Sequence, residues 1–207
     1  MLSPTVICAD IGSVAKDNFG WWSSEGVSGT KPSTLAAHTA ALLNRGKPVA
    51  LGFECPLFVP FVEDESKLTN KRPGEGSRPW SAGAGCGSLA TGLVQVAWVL
   101  QAVRSQLTHT VPAFLAWEPF ATGATGMFLW EAFVSGTAKH SNHVADAEAG
   151  GQAFLRALPN PEAANAVACA SAVYSLVGAA MLRTGWCTDL SILQKSCLVV
   201  SASEMPS

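Results

Sequence analysis

The sequence is short of charge. Only 14% of its 207 residues are Asp, Glu, Lys or Arg, against 48% hydrophobic and 8% aromatic, which excludes the charge-rich, apolar-poor composition of a disordered chain. It lacks any excess of positive charge. The formal net charge is −2 and the pI about 6.1, so any contact with nucleic-acid phosphates has to come from a local patch. Cysteine pairs at CxxC spacing are missing too. The six cysteines, Cys8, Cys55, Cys86, Cys169, Cys187 and Cys197, are scattered, and several lie in apolar stretches typical of buried thiols, which points to a reduced, cytoplasmic setting. No basic segment and small-residue cleavage site precede the first strand-like run, so no signal peptide is expected. Residues 163–182 are nearly uncharged, yet Ala, Ser, Gly, Asn165 and Cys169 fill much of the stretch in place of Leu or Ile, and no membrane partner is expected. Nor is there an internal repeat or a low-complexity linker. What remains is a chain long enough for one substantial core, a single domain over 1–207.

Strand signals come first. Residues 5–11 (TVICADI) are β-branched and apolar and end in Asp10, Gly12 and Ser13, the pattern of a buried strand running into a turn. Lys16, Asp17 and Asn18 then turn the chain into a second, antiparallel strand over 19–22. No third strand of that meander is legible between Ser24 and Lys31. Ser33 is the expected N-cap of a helix over 34–44, ended by Gly46. A strand over 48–53 stops at Glu54. Residues 63–87, broken by Gly, Pro and Ser, read as a long surface loop carrying Lys67, Lys71, Arg72 and Arg78. A helix over 88–106 with apolar residues at sheet-packing spacing follows, then a short strand over 111–117. After a turn at Gly123 and Gly126 come a strand over 127–134 containing Glu131 and a helix over 146–158. A long Ala-rich helix, capped by Asn160 and Pro161 and running to Arg183, and a last strand over 192–200 complete the chain. Strands separated by helices predict an α/β fold, a mixed β-sheet flanked by helices. The tryptophans, notably Trp21, Trp22, Trp98 and Trp130, are expected in the core.

Acids within or at the ends of apolar strands are costly to bury and demand partners, a divalent cation foremost. Four such positions recur: Asp10, Glu54, Glu131 and Asp146. Glu118, which ends the run 111–117, competes with Glu131, and the residues leave that choice open. ICADIGS followed by NFGWW resembles the opening of the ribonuclease H-like superfamily. HVADAEAGGQAF (residues 143–154) resembles the His-x-x-Asp-Ala helix of its Holliday-junction resolvase branch. DIGS, FECPL, WEAFVS and that helix together resemble prokaryotic families of the same fold whose activity is not established. The resemblance covers most of the chain. It implies a ribonuclease H-like sheet, Mg²⁺ or Mn²⁺ held by Asp10, Glu54 and Asp146 with Glu131 completing the catalytic set, and a nuclease or phosphodiesterase acting on nucleic acid. Two such ions about 4 Å apart would activate a water and stabilise the leaving oxygen, and hard carboxylate oxygens suit them.

Other signals are weaker. Lys71, Arg72 and Arg78, with Trp80 beside them, would form a substrate-phosphate clamp, the arginines through their planar forks; the alternative is a solvated loop whose charge Asp64, Glu65 and Glu75 partly cancel. His140, His143 and Asp146 have the spacing of a zinc site if they share a helical face, although His143 is better read as a polar neighbour of the acids. Residues 26–31 lack the GK[ST] ending of a phosphate loop. Two other functions stay open. One is an actin-like nucleotide-binding phosphotransferase with Asp10, Gly12 and Ser13 in its first phosphate loop, although a second phosphate motif is missing. The other is a non-catalytic binding or assembly module, a homo-oligomer included, which the near-neutral charge favours.

Overall fold

The computed structural model describes residues 3–123, 125–139, 142–167 and 172–202. β1, Thr5–Asp10, is buried along its whole length, as a β-branched strand in the middle of a sheet must be. β2, Gly20–Ser23, and β3, Val27–Gly29, return antiparallel as a meander. β3 escaped the sequence reading because it is a three-residue edge strand with no apolar alternation. α1, Pro32–Asn44, is entered from Lys31 and not from Ser33; Pro32 occupies the first turn, where a missing N–H leaves no bond unmade. β4, Val49–Glu54, runs parallel to β1, and the three-residue β5, Phe58–Pro60, follows. α2, Gly83–Ser105, begins five residues before the expected start, inside a GAGCG run whose composition hides a helix. Of the run 111–117 only β6, Ala113–Phe114, is strand, and α3, Trp117–Thr122, starts at its end. β7, Met127–Phe133, matches expectation. α4, His143–Ala157, starts three residues early because the Asn142 side chain accepts a hydrogen bond from Ala145 N and caps it.

The long Ala-rich helix does not form. Pro161–Ala164 make one 3₁₀ turn, β8, Val173–Ser175, pairs with β5, and among the described residues of this run only α5, Leu176–Thr184, is α-helical. Helix propensity is overridden by tertiary bonds: Asn165 Oδ1 accepts from Val199 N at 3.1 Å, and Asn165 bridges Val200. Likewise the last strand shrinks to β9, Val199–Ser201, because Leu190–Gln194 is 3₁₀.

The main sheet runs in the order β3-β2-β1-β4-β7-β6, and β9 shares the β7 edge with β6. β2 and β3 are antiparallel to their neighbours, and the other pairs are parallel. This is an α/β fold whose mixed sheet and flanking helices are compatible with a ribonuclease H-like arrangement. Successive side chains of a strand point to opposite faces, and the two faces are covered separately. Ile7, Ala9, Leu51, Phe53, Met127 and Leu129 pack in the layer of α1, α2 and α5. Val6, Cys8, Ala50, Phe128, Trp130 and Ala132 pack in the layer of Trp117 and Phe120 of α3 and Phe154 of α4. α2 is long and apolar enough to cross a membrane, but Val96, Val99, Leu100 and Val103 are buried in the core beside α1 and α5, as in the helical layer of a soluble sheet protein. Trp98, expected in the core, is 50% exposed on that helix. α4 lies unusually close to the meander: a Cβ at Gly20 would stand 2.3 Å from His143 C and 2.4 Å from Val144 N, and one at Gly151 would stand 2.6 Å from the Trp22 ring.

Candidate metal centre

That close approach delivers the first turn of α4 to the ends of the central strands. Asp10 and Glu54 are the last residues of β1 and β4 and stand directly opposite each other in the parallel register. Asp10 continues the Val6, Cys8 side of its strand, so both carboxylates face α4. On α4, His143 and Asp146 are one turn apart on the sheet-facing stripe that continues through Ala147, Gly150 and Phe154. Oxygens of Asp10, Glu54 and Asp146 all lie within 4.8 Å of one another. The three expected metal acids therefore converge. Asp10 and Asp146 are buried, and Glu54 is nearly so.

Two further side chains complete the cluster. His143 Nδ1 hydrogen bonds to Asp10 Oδ2. Lys139, which the sequence reading missed, donates from Nζ to Glu54 Oε1 and Oε2 at 3.0 and 3.1 Å and stands 3.1 Å from Asp146 Oδ2. Its only sequence signal was a position between the Glu131 strand and the Asp146 helix. Desolvation, together with the hydrogen bond and charge of Asp10, pushes the Glu54 carboxyl up to about 9, with Lys139 pulling the other way. Burial raises Asp10 as well, against its hydrogen bond to Glu54 and the charge of Lys139. Burial opposes the charge on Lys139, but Glu54 and Asp10 outweigh it and hold the ammonium above its ordinary range. The cluster is an acidic site that already holds one cation, and its oxygen donors could hold a metal ion. The donor set itself does not choose between metals.

Glu131 is not one of the three converging acids, although with Arg72 and Glu75 it lines the cleft that opens on them. It stands opposite Phe53 in the β4–β7 register and therefore projects from the other face of the sheet. There it is 1% exposed and bound by Arg72, whose Nη1 and Nη2 donate to Oε2 at 2.9 Å and Oε1 at 2.5 Å, while Leu57 N donates to Oε2 at 2.9 Å. Arg72 also donates from Nε to Glu75 Oε1 at 2.8 Å and from Nη1 to Phe58 O at 3.1 Å, and stacks over the Phe58 ring. Burial works against its charge, but Glu131 and Glu75 overcome that and push the guanidinium up. Arg72, expected to grip substrate, lines the cleft, and its fork is bound to Glu131, Glu75 and Phe58 O inside the protein. Lys71 donates to Gly76 O at 2.8 Å on the exposed loop. Trp80 is folded onto the same loop, with Nε1 donating to Asn70 O. Glu118 is exposed in the first turn of α3. His140 lies outside the described residues, and the zinc reading with it.

A cleft of about 330 Å³ opens on the cluster, with Asp10, Glu54, Lys139, His143, Arg78 and Ser88 among its lining residues. Arg78 is thus the one residue of the expected clamp that reaches the cleft without an ion-pair partner among the described residues. No protein-family profile, curated protein or solved structure matches the chain.

Proposed function

We propose that this protein is a divalent-metal-dependent phosphodiesterase of the ribonuclease H-like kind, a nuclease using Mg²⁺ or Mn²⁺. The observation that carries the reading is the convergence of Asp10, Glu54 and Asp146, the first two of which line an open cleft. A bound dication would supply Lewis-acid activation of water and neutralise charge building on a phosphate. Asp10, Glu54 and Asp146 hold it. His143 fixes Asp10 through Nδ1 and, one-third exposed at the cleft wall, is placed to move a proton at Nε2. Arg78 lines the same cleft, where its fork would suit a non-bridging phosphate oxygen. Because overall charge gives no attraction to nucleic acid, binding rests on these local groups.

The test is a pair of measurements on wild type and Asp10→Asn. Wild type should rise in melting temperature with Mn²⁺ and cleave at least one of single-stranded, duplex or branched nucleic acid, and the variant should do neither. A wild type without metal-induced stabilisation or cleavage defeats the reading. One observation favours a second reading, the non-catalytic module: Lys139 neutralises part of the cluster without any metal. That module would show no Mn²⁺ response at all.

A further inference from the structure

Lys139 is held in place by the backbone. It closes the short turn Gly136–Ala138, with its own N–H donating to Gly136 O, so its side chain leaves a fixed point between β7 and α4. An ammonium has three donors, and Lys139 makes three close contacts, two to Glu54 and one to Asp146. The bridge spans the carboxylate from the end of β4 and the carboxylate from α4. Asp10, by contrast, is engaged by His143 and Glu54 and has no contact with Lys139 Nζ among the hydrogen bonds and ion pairs of the cluster.

We propose that Lys139 acts as the second cation of this site, so that the acidic cluster takes one divalent ion where a paired-ion nuclease takes two. The inference rests on the metal reading of the same carboxylates. Charge decides between the stoichiometries. Once an incoming ion has displaced the Glu54 proton, three ionised carboxylates are balanced to neutrality by one ammonium and one dication. A second dication would leave two uncompensated positive charges among acids that are almost fully buried, beside an ammonium already bound to Glu54 and Asp146. Lys139 is therefore a positioning residue: it gathers Glu54 and Asp146 and covers the side of the cluster away from Asp10.

Counting bound ions tests this without reference to activity. Mn²⁺ is titrated into the full chain, with free Mn²⁺ read by electron paramagnetic resonance. The expected counts are one ion per chain for wild type and for Lys139→Arg, which keeps the charge, and two for Lys139→Met, which leaves a negative charge beside the first ion and frees the Glu54 and Asp146 oxygens that the ammonium occupies. Two ions in wild type, or a single ion in a folded Lys139→Met, overturns the role given to Lys139 while leaving the metal site standing. No binding by any of the three overturns the metal reading itself. Should Lys139→Met fail to fold, Lys139→Gln takes its place, with the same expected count of two and the same overturning result.

Discussion

Glu131→Gln separates the two buried clusters of acids. In the native chain both carboxylate oxygens of Glu131 accept bonds, from two Arg72 nitrogens and from Leu57 N, and both side chains of the ion pair are 1% exposed. Glutamine keeps the shape and one acceptor oxygen but removes the charge, leaving Arg72 with Glu75 as its only carboxylate partner. Breaking a buried pair in this way costs about 3–5 kcal/mol, and retention of one acceptor puts the expected loss near about 3. For a chain of this length each kcal/mol lowers the melting temperature by about 2–4 °C. The variant should therefore melt roughly 6–12 °C below wild type, measured by circular dichroism without metal. Because Glu131 projects from the face opposite Asp10 and Glu54, the rise produced by Mn²⁺ should match that of wild type. If Glu131→Gln melts within about 2 °C of wild type, the anchor has been misjudged. If it stays folded and loses the Mn²⁺ response, the division of the sheet into two faces with separate roles is wrong.

Asp10→Asn should melt no lower than wild type in the absence of metal, because it relieves repulsion in a crowded acidic cluster, and should lose the Mn²⁺-induced shift; retention of the full shift would remove Asp10 from the site. Gly20→Ala places a methyl group against the His143 and Val144 backbone, which cannot yield as a side-chain tip can, so a loss of about 2 kcal/mol or more in urea unfolding is expected. The pH dependence has a definite sign. The Glu54 carboxyl keeps its proton up to about 9 in the folded chain but loses it near the ordinary glutamate value of 4.5 when unfolded, so between these values the native state binds more protons. On this account the metal-free protein loses stability as pH rises through that window. Saturating Mn²⁺, which competes with the proton, should flatten the loss; urea titrations at several pH values would show no such slope if Glu54 were an ordinary surface carboxylate.

The site was legible in the sequence to the extent that it depends on strand ends and helix periodicity. Asp10 and Glu54 close apolar runs, and a polar residue at that point of a buried strand has few places to go except a shared cleft. The i, i+3 spacing of His143 and Asp146 puts them on one face whatever the boundaries of α4, so an error of three residues in its start did not matter. Elements defined by contacts made elsewhere were not legible. β3 is strand only because β2 lies beside it, and residues 161–167, the start of the Ala-rich run, are not α-helical because Asn165 is drawn to the backbone of β9. Lys139 is of this second kind: nothing in its neighbours predicts that a turn will aim it between two acids from different elements.

Glu131 shows where a stronger argument was available from the residues alone. A strand side chain can join a cluster only if its parity matches that of the face the cluster occupies. Asp10 and Glu54 share the α4 face; opposite them on β7 that face continues through Phe128, Trp130 and Ala132. An acid at 131 is therefore one residue out of phase and is delivered to the α1, α2 and α5 layer, where the apolar Met127 and Leu129 precede it. Burial there requires a counter-charge, and Arg72 supplies it by running a loop arginine into the core. The same parity makes Ala132 the β7 residue nearest in phase to the metal cluster. With no carboxylate at that position, the site has three acids and one lysine, and the charge balance that follows is the basis for expecting a single divalent ion.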